Sequence, residues 1–307
     1  MKASSFLVSG IRAALVASTL VCAHSAIASS ATLDKIKSTG AVTMGVRESS
    51  IPMSYTTGDG RFDGFHVEVC RMILNDIKDK LGMSTLRINY QPVTAQNRMP
   101  LVQNGTVDIE CGTTTNNTAR QRDVSFANTL YVEEVRIAVK ANSGINSISQ
   151  LAGKKVATTT GTTSVQLLRK HEKATGVNFD EVFGKDHSDS FLLLESGRAD
   201  AFVMDGSILA GNIANSKNPK DFKIVGEVLS VEPIAIMIRK DDPKFKADVN
   251  AAIAKMVANG SMPKLWGKWF LKPIPPKNSV VGLELSAATK NAWTNLNDKP
   301  AEDYQKK

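Results

Sequence analysis

Cysteine and histidine are scarce in this chain, with three cysteines and four histidines among 307 residues. A structural metal site uses about four closely spaced thiolate or imidazole ligands, so we expect no metal and no cofactor. Dense runs of Lys and Arg with interleaved aromatic residues are missing as well, which argues against a nucleic acid partner. The formal net charge of +8 suits an anionic ligand but does not identify one.

Long apolar runs are also missing. The run at 13–23 is too short to span a bilayer, and a small-x-small pattern follows it at 26–28. Residues 1–28 are therefore predicted to be a cleaved signal peptide, and the mature chain is expected to be soluble in the periplasm. Lipid anchoring at Cys22 is the alternative, but the valine before it is larger than lipidation requires.

Two cysteines, Cys70 and Cys111, would remain after cleavage. Export to an oxidising compartment permits a disulfide between them. However, Cys70 falls within an apolar helical pattern and Cys111 ends an apolar strand pattern. Two separate buried thiols are therefore an equal alternative.

The chain contains two successive sets of strand, helix, strand, helix and strand. The first set is predicted at 41–46, 65–81, 86–90, 100–104 and 107–111, and the second at 155–158, 164–171, 178–182, 188–196 and 201–204. This alternation predicts an α/β protein with two lobes, each built on a parallel-type sheet.

Further β-rich stretches at 136–140 and 234–238 flank the second set. We interpret them as the strands that leave the first lobe and later return to it. The polar residues after about Asp298 are expected to fray. The predicted organisation is lobe 1 at 29–133, lobe 2 at 134–233 and a return to lobe 1 at 234–307, with hinges near 131–136 and 232–236.

Ligands of open α/β sheets bind outside the carboxyl ends of the strands. The loops at those ends contain arginines, hydroxyls, a histidine and an aspartate: Arg47, Arg98, Thr113, Thr115, Arg120, Thr162, Thr163, His187 and Asp205. A guanidinium pairs with a carboxylate through two parallel hydrogen bonds, and a hydroxyl-rich loop entering a helix offers N–H groups to an anion. Because the aspartate can accept from an ammonium group, the set predicts an amino acid ligand with a second carboxylate.

Each of these residues also has an ordinary structural interpretation. A single arginine at a strand end is most often solvated or in a surface ion pair, and a threonine-rich loop is often only a helix cap. Asp205 precedes a helix expected near Ser207 and could be its N-cap. The joint placement of all nine residues favours a ligand site.

Several segments carry a family resemblance: Arg47-Glu48-Ser49-Ser50, Gln96-Asn97-Arg98, Glu110-Cys111-Gly112, Thr114-Thr115-Asn116-Asn117, Gly161-Thr162-Thr163-Ser164, Lys185-Asp186-His187 and Pro273-Ile274-Pro275-Pro276. With them the chain resembles the extracellular solute-binding proteins of family 3, the polar amino acid binders of ABC importers. The resemblance extends from about Thr32 to Leu285 and is greatest toward the glutamate/aspartate-binding members.

The resemblance implies the two-lobed type II periplasmic-binding-protein fold, with the ligand in the cleft between the lobes. It implies delivery of glutamate or aspartate to an inner-membrane ABC permease, and we expect a monomer. It also implies three groups of contacts: Arg120, Thr162 and Thr163 to the α-carboxylate, Asp205, Thr113 and Thr115 to the α-ammonium, and Arg47, Arg98 and His187 to the side-chain carboxylate.

The chain departs from that subfamily at three positions. Ala95 and Thr113 stand where its members have serine, which leaves the preference between glutamate and aspartate open. Ile236 stands where some members have a cysteine that could partner Cys111, which weakens the case for a disulfide at Cys111.

Two other functions are compatible with the same fold. One is a dehydratase-like enzyme, for which His187, Glu48 and Asp205 are the candidate acid–base groups. The amino acid contacts already account for His187 and Asp205, so we predict no catalysis. The other is a soluble amino acid sensor, which would present its ligand-bound form to a receptor.

The predicted roles of Arg98 and Arg120 can be tested by substituting each with alanine. Every amino acid has an α-carboxylate, so Arg120→Ala should cost about 3–5 kcal/mol for any ligand, the scale of an unpaired buried charge. Arg98→Ala should cost glutamate a similar amount but glutamine little. Calorimetric titration with glutamate, aspartate and glutamine measures this. Parent-like glutamate binding by Arg98→Ala, or an equal loss for all three ligands, would contradict the assignment.

Overall fold

The computed structural model describes Met1 and residues 30–305. The predicted signal peptide therefore lies outside the described residues, apart from Met1. Among the described residues, no helix is both long enough and apolar enough to cross a membrane.

The structure alternates strands and helices along the chain. The strands are β1 (Ala41–Val46), β2 (Ser49–Ser50), β3 (Ser54–Thr56), β4 (Phe62–Asp63), β5 (Arg87–Pro92), β6 (Ile109–Glu110), β7 (Val124–Phe126), β8 (Tyr131–Lys140), β9 (Lys155–Thr159), β10 (Asp180–Gly184), β11 (Ala201–Asp205), β12 (Phe222–Ile234) and β13 (Met237–Arg239). The helices are α1 (Ala31–Thr39), α2 (Phe65–Lys80), α3 (Arg98–Gln103), α4 (Thr118–Gln121), α5 (Thr163–Thr175), α6 (His187–Glu195), α7 (Gly206–Ala214), α8 (Pro243–Ala258), α9 (Ser261–Phe270), α10 (Ala287–Thr294) and α11 (Ala301–Tyr304), with 3₁₀ turns at Ile148–Leu151 and Pro219–Asp221. Every element predicted in the two sets is present.

Lobe 1 is built on a five-stranded sheet in the order β5-β1-β6-β13-β7. Strand β1 pairs in parallel with β5 and β6, whereas β13 pairs antiparallel with β6 and β7. Lobe 2 has a second sheet, β10-β9-β11-β8-β12, in which β8 runs antiparallel to β11 and β12. The prediction of parallel-type sheets was therefore only partly correct. Both sheets are mixed because each contains one strand that runs opposite to the parallel strands. This strand is β13 in lobe 1 and β8 in lobe 2, and both lie next to the connection between the lobes.

Helix α2 shows how the sequence pattern produces the core of lobe 1. Phe65, Val69, Ile73 and Ile77 recur every four residues, so they share one helix face, and all four are buried. The helix begins after Gly64, whose φ of +130° and close approach to a backbone carbonyl leave no room for a Cβ. The buried face packs against α8 and α9 in a single apolar cluster.

Two neighbouring strands connect the lobes. Residues 131–135 of β8 pair antiparallel with residues 230–234 of β12, beyond a register shift that separates this ribbon from the rest of lobe 2. A two-stranded ribbon that passes between two lobes is the natural place for bending. The predicted hinge stretches fall on this ribbon, and we retain them as the proposed hinge.

The C-terminal tail is ordered as far as Gln305, which contradicts the expectation that it frays after Asp298. The Asn116 amide donates to the Asp298 carbonyl at 2.9 Å, and the Thr118 N–H donates to the Glu302 carboxylate at 3.1 Å. Upstream of these contacts, the Trp293 indole donates to a carbonyl of the hinge region at 2.7 Å. Fraying was predicted from polarity, but polar groups that bond to loop backbone hold the tail in place.

Cys70 on α2 and Cys111 after β6 form a disulfide, with their Cα atoms 6.4 Å apart. Of the two alternatives that the sequence left open, the structure has the disulfide and not two separate thiols. Both residues are buried in the core of lobe 1. The bridge therefore joins the helix layer to the loop that continues into Thr113 and Thr115.

Reduction of this disulfide should lower the free energy of unfolding by about 2–4 kcal/mol, because a closed loop of this length restricts the unfolded chain. The bonded cysteines are 41 residues apart. Urea unfolding of the mature protein with and without reductant measures the difference. The Cys70→Ala/Cys111→Ala variant is the control and should be insensitive to reductant. Equal stability of the oxidised and reduced parent would show that the bridge contributes nothing.

Candidate functional site

Eight of the nine predicted site residues line one cavity between the lobes. They are Arg47, Arg98, Thr113, Thr115, Thr162, Thr163, His187 and Asp205, joined by Met204. The cavity volume is about 10 Å³, enough for roughly one water molecule and far below the roughly 300–1,000 Å³ of pockets that take drug-sized ligands. In this arrangement of the lobes the site residues therefore lie together with little free space between them.

Lobe 1 contributes two buried cations. Arg47 follows β1 and Arg98 begins α3, and their side chains are 1% and 2% exposed. The Nε and Nη1 atoms of Arg98 find no acceptor among the described residues. Burial lowers the pKa of Arg98 to about 9, and the positive charges of Arg120 and Arg47 add to this effect. A buried guanidinium with free donors is a strong site for an anion.

Lobe 2 contributes hydroxyls, an imidazole and a carboxylate. Thr162 and Thr163 lie where β9 passes into α5, and the Thr162 hydroxyl donates to the Thr159 carbonyl at 2.7 Å. That hydroxyl does not cap the helix, so it leaves the first N–H groups of α5 without this bond. These groups point out of the N-terminal end of the helix, which lies at the cavity. Asp205 occupies the N-cap position of α7, but its side chain makes no capping bond within the described chain.

Asp205 belongs to a cluster of buried carboxylates that the sequence did not predict. Glu133 accepts from the Ser207 hydroxyl and from the Tyr131 hydroxyl, and Glu232 is 4% exposed. Burial raises the pKa of Glu133 to about 7. Burial also raises the pKa of Asp205 well above its usual range, and the charges of Glu133 and Glu232 add to it. A cluster of this kind attracts a cation.

Glu133 and Glu232 were missed because they lie within strands rather than in strand-end loops. They pair with each other across the hinge ribbon. The signal available in the sequence was that both glutamates lie in the predicted hinge stretches at 131–136 and 232–236. A buried acid needs a partner, so each of these glutamates was a candidate for a functional contact.

Glu232 bridges the two lobes. Its Oε2 atom accepts from the Thr115 hydroxyl of lobe 1 at 2.6 Å and from the Thr163 hydroxyl of lobe 2 at 2.8 Å. Both threonines are predicted ligand contacts. The bridge therefore places site residues from opposite lobes on one carboxylate.

A second interlobe contact joins Arg47 to Asp186 at the start of α6. Their ion pair is accompanied by a hydrogen bond from the Ser188 N–H to the Ser49 hydroxyl at 3.2 Å. Burial would raise the pKa of Asp186, but the Arg47 charge brings it below its ordinary value. The sequence placed Asp186 in a site loop without assigning it a role, because its partner lies on the other lobe.

Arg120 is the one predicted site residue that does not line the cavity. It lies on α4, is partly buried, and donates from Nη1 to the Thr115 carbonyl at 2.8 Å. The charges of Glu232, Glu110 and Asp205 all act on its guanidinium. Arg120 is therefore beside the acidic cluster, and its contact with a ligand remains a prediction.

Metal binding has no support within residues 30–305. No group of three or more histidine, cysteine, aspartate or glutamate side chains in that range could hold a metal ion. The carboxylates of the cleft are instead opposed by guanidinium groups and hydroxyls. These are the groups that recognise charged organic ligands.

Two lobes joined by a two-stranded hinge, with a charged cavity between them, define a class of protein that captures small solutes by closing around them. Residues 42–272 match the family of bacterial extracellular solute-binding proteins, family 3, and the chain belongs to this family.

Individual proteins similar to this chain can also be named. The glutamate/aspartate import solute-binding protein of Escherichia coli K12 is 42% identical over 272 residues, covering 89% of this chain and 90% of that protein. The L-glutamate/L-aspartate-binding protein of Pseudomonas aeruginosa PAO1 is 42% identical over 274 residues, covering 88% and 90%. A solved ancestral amino acid-binding protein, described as a precursor of cyclohexadienyl dehydratase, is 26% identical with a TM-score of 0.68, covering 78% of this chain and 99% of its own.

Close approach of the lobes depends on Gly211 of α7. A Cβ at this position would overlap the carbonyl oxygen of Ile51 on lobe 1. Gly211→Ala should therefore disfavour the closed arrangement by roughly 1–3 kcal/mol. Small-angle scattering should show a larger radius of gyration than in the parent protein.

Gly267→Ala is the matched control, because an added Cβ there meets no described atom within 4 Å. Both substitutions place alanine in a helix, which favours helix stability. Both variants should therefore keep or slightly exceed the parent's melting temperature. Unchanged scattering by Gly211→Ala would show that the contact with Ile51 does not limit closure.

Proposed function

We propose that this protein is a periplasmic solute-binding protein that captures glutamate or aspartate and delivers it to an inner-membrane ABC importer. The observation that carries the proposal is the charge arrangement of the cleft. Buried guanidinium groups of Arg47 and Arg98 lie in the same cavity as Asp205, beside Glu133 and Glu232. A ligand with both anionic and cationic groups neutralises both sets at once.

The cavity has two chemically different ends. At one end, Asp205 and Glu232 lie close to Thr115, Thr163 and Arg120. Because this end is rich in carboxylates, it takes the α-ammonium group. The α-carboxylate is attached to the same carbon, so it lies nearby, within reach of Arg120 and the N-terminus of α5.

The other end of the cavity takes the side chain. Arg47, Asp186 and His187 are clustered there by direct contacts and by their charges. Arg98 lies between the two ends, since the charges of both Arg47 and Arg120 act on it. We assign the second carboxylate to Arg47, Arg98 and His187, and the preference between glutamate and aspartate to the depth of this end.

The ligand acts by stabilising the closed form. Arg47, Arg98 and Thr115 lie on lobe 1, whereas Thr163, His187 and Asp205 lie on lobe 2. A ligand that contacts both sets binds the closed arrangement more tightly than the open one, so it shifts the equilibrium toward closure. A permease that recognises the closed form then receives loaded protein in preference to empty protein.

The relatives support binding rather than catalysis. Those with 42% identity are named for glutamate and aspartate binding or import, and the relative connected with a dehydratase is itself an amino acid-binding protein. In the cleft, the Glu133 carboxylate accepts hydrogen bonds from the Ser207 and Tyr131 hydroxyls, so it is not a free acid or base. We therefore propose no reaction at this site.

Titration calorimetry of the mature protein at pH 6 with glutamate, aspartate, glutamine and asparagine tests the ligand class. The amides should bind more weakly by roughly 2–5 kcal/mol, because they leave buried guanidinium groups poorly paired. Glutarate is the control ligand, since it has two carboxylates but no ammonium, and it should bind weakly because the acidic cluster stays uncompensated. Amide binding as tight as that of glutamate would refute the proposed ligand class.

A further inference from the structure

His187 ends a chain of hydrogen bonds that the ligand contacts do not explain. Its Nδ1 atom is 2.9 Å from the Thr159 hydroxyl, which is 2.8 Å from the Ser190 hydroxyl. The Ser190 hydroxyl lies 3.1 Å from the carbonyl oxygens of both Thr158 and Asp186. All of these groups are on lobe 2, so the chain exists whatever the position of lobe 1.

The direction of this chain follows from the carbonyls at its end. A carbonyl oxygen only accepts, so the Ser190 hydroxyl donates to one of them and is left to accept from Thr159. The Thr159 hydroxyl, having donated to Ser190, accepts from His187. The reverse direction would turn oxygen lone pairs of Ser190 toward two carbonyls. The chain therefore holds His187 in the tautomer with the proton on Nδ1.

In this tautomer the Nε2 atom of His187 is a hydrogen-bond acceptor. Nε2 is buried, His187 lines the cavity, and no donor within residues 30–305 bonds to Nε2. The charged groups around the ring are Arg47 and Arg98 from lobe 1 and Asp186 from the start of α6. Burial lowers the pKa of His187 to about 3, with Arg47 adding to it, so the ring is neutral in this arrangement.

An acceptor at Nε2 cannot bond to the carboxylate that we assign to this end. We propose that an acidic side chain binds together with one proton from solvent, which is taken up at Nε2 of His187, and that Thr159 and Ser190 are the positioning residues that make this uptake necessary. The proposal rests on the proposed function. It concerns the charge state of the complex rather than the identity of the ligand.

Proton uptake makes selectivity depend on pH. The carboxylate favours the charged ring, so the pKa of His187 rises on binding, and glutamate affinity increases as the pH falls, by up to about tenfold per pH unit. Glutamine needs no proton, because its amide N–H donates directly to Nε2. The affinity ratio of glutamate to glutamine should therefore decrease as the pH rises.

Calorimetry at pH 6 in buffers of different ionisation enthalpy counts the protons exchanged. Glutamate should take up about one proton more than glutamine, since any proton lost from the acidic cluster on ammonium binding is common to both ligands. Nitrogen-15 NMR of the histidine side chains should show a neutral ring with Nδ1–H in the free protein. In the glutamate complex it should show both nitrogens protonated. The His187→Gln spectrum assigns the signals.

Two variants of Thr159 separate positioning from packing. Thr159→Val removes the acceptor for Nδ1–H, so the free ring should become a mixture of tautomers and the additional proton uptake should decrease. Thr159→Ser keeps the hydroxyl and should restore both the single tautomer and the proton count. A purely structural role for Thr159 would change stability without moving either measurement.

The outcomes are distinguishable. A free ring with the proton on Nε2, or a glutamate complex with a neutral His187, overturns the proposal even where glutamine binds too weakly for a proton count. Equal proton counts for the two ligands also overturn it. If no acidic amino acid binds, the proposed function fails and this inference fails with it. If glutamate binds without the proton, the proposed function stands alone.

Discussion

Mutual compensation of buried charges is the constraint on which the site depends. Guanidinium groups from lobe 1 and carboxylates from the hinge and lobe 2 are removed from water in one cleft, where an unpaired charge is costly. Protein contacts satisfy them only in part: Arg47 has Asp186, and Glu232 has two threonines, while atoms of Arg98 and Asp205 have no partner among the described residues. A zwitterion with an additional anionic group completes the set.

The same constraint connects recognition with motion. Because the guanidinium groups of lobe 1 face carboxylates of the other lobe and of the ribbon between them, a ligand that neutralises both sets favours the arrangement in which the lobes meet. Glu232 is central to this coupling, since it lies on the hinge ribbon and accepts from a threonine on each lobe. The cleft is therefore connected directly to the strands of the proposed hinge.

Sequence patterns correctly predicted the features that depend on local periodicity and on the position of a residue at a strand end. The burial of α2 and the gathering of Arg98, His187 and Asp205 in one cavity follow from such rules. Features that depend on contacts distant in sequence could not be obtained this way. Glu133 and Glu232 acquire their role only when two strands pair across the hinge, and Asp186 only when Arg47 approaches from the other lobe.

The ordered tail packs against the proposed hinge ribbon. Trp293 donates to the Leu130 carbonyl, the Thr289 hydroxyl accepts from the Val132 N–H, and Gln305 donates to Ser230 on the partner strand. The chain end therefore contacts both strands of the proposed hinge. A reporter group attached near residue 305 would be in a position to sense each opening and closing of the cleft, at a distance from the ligand itself.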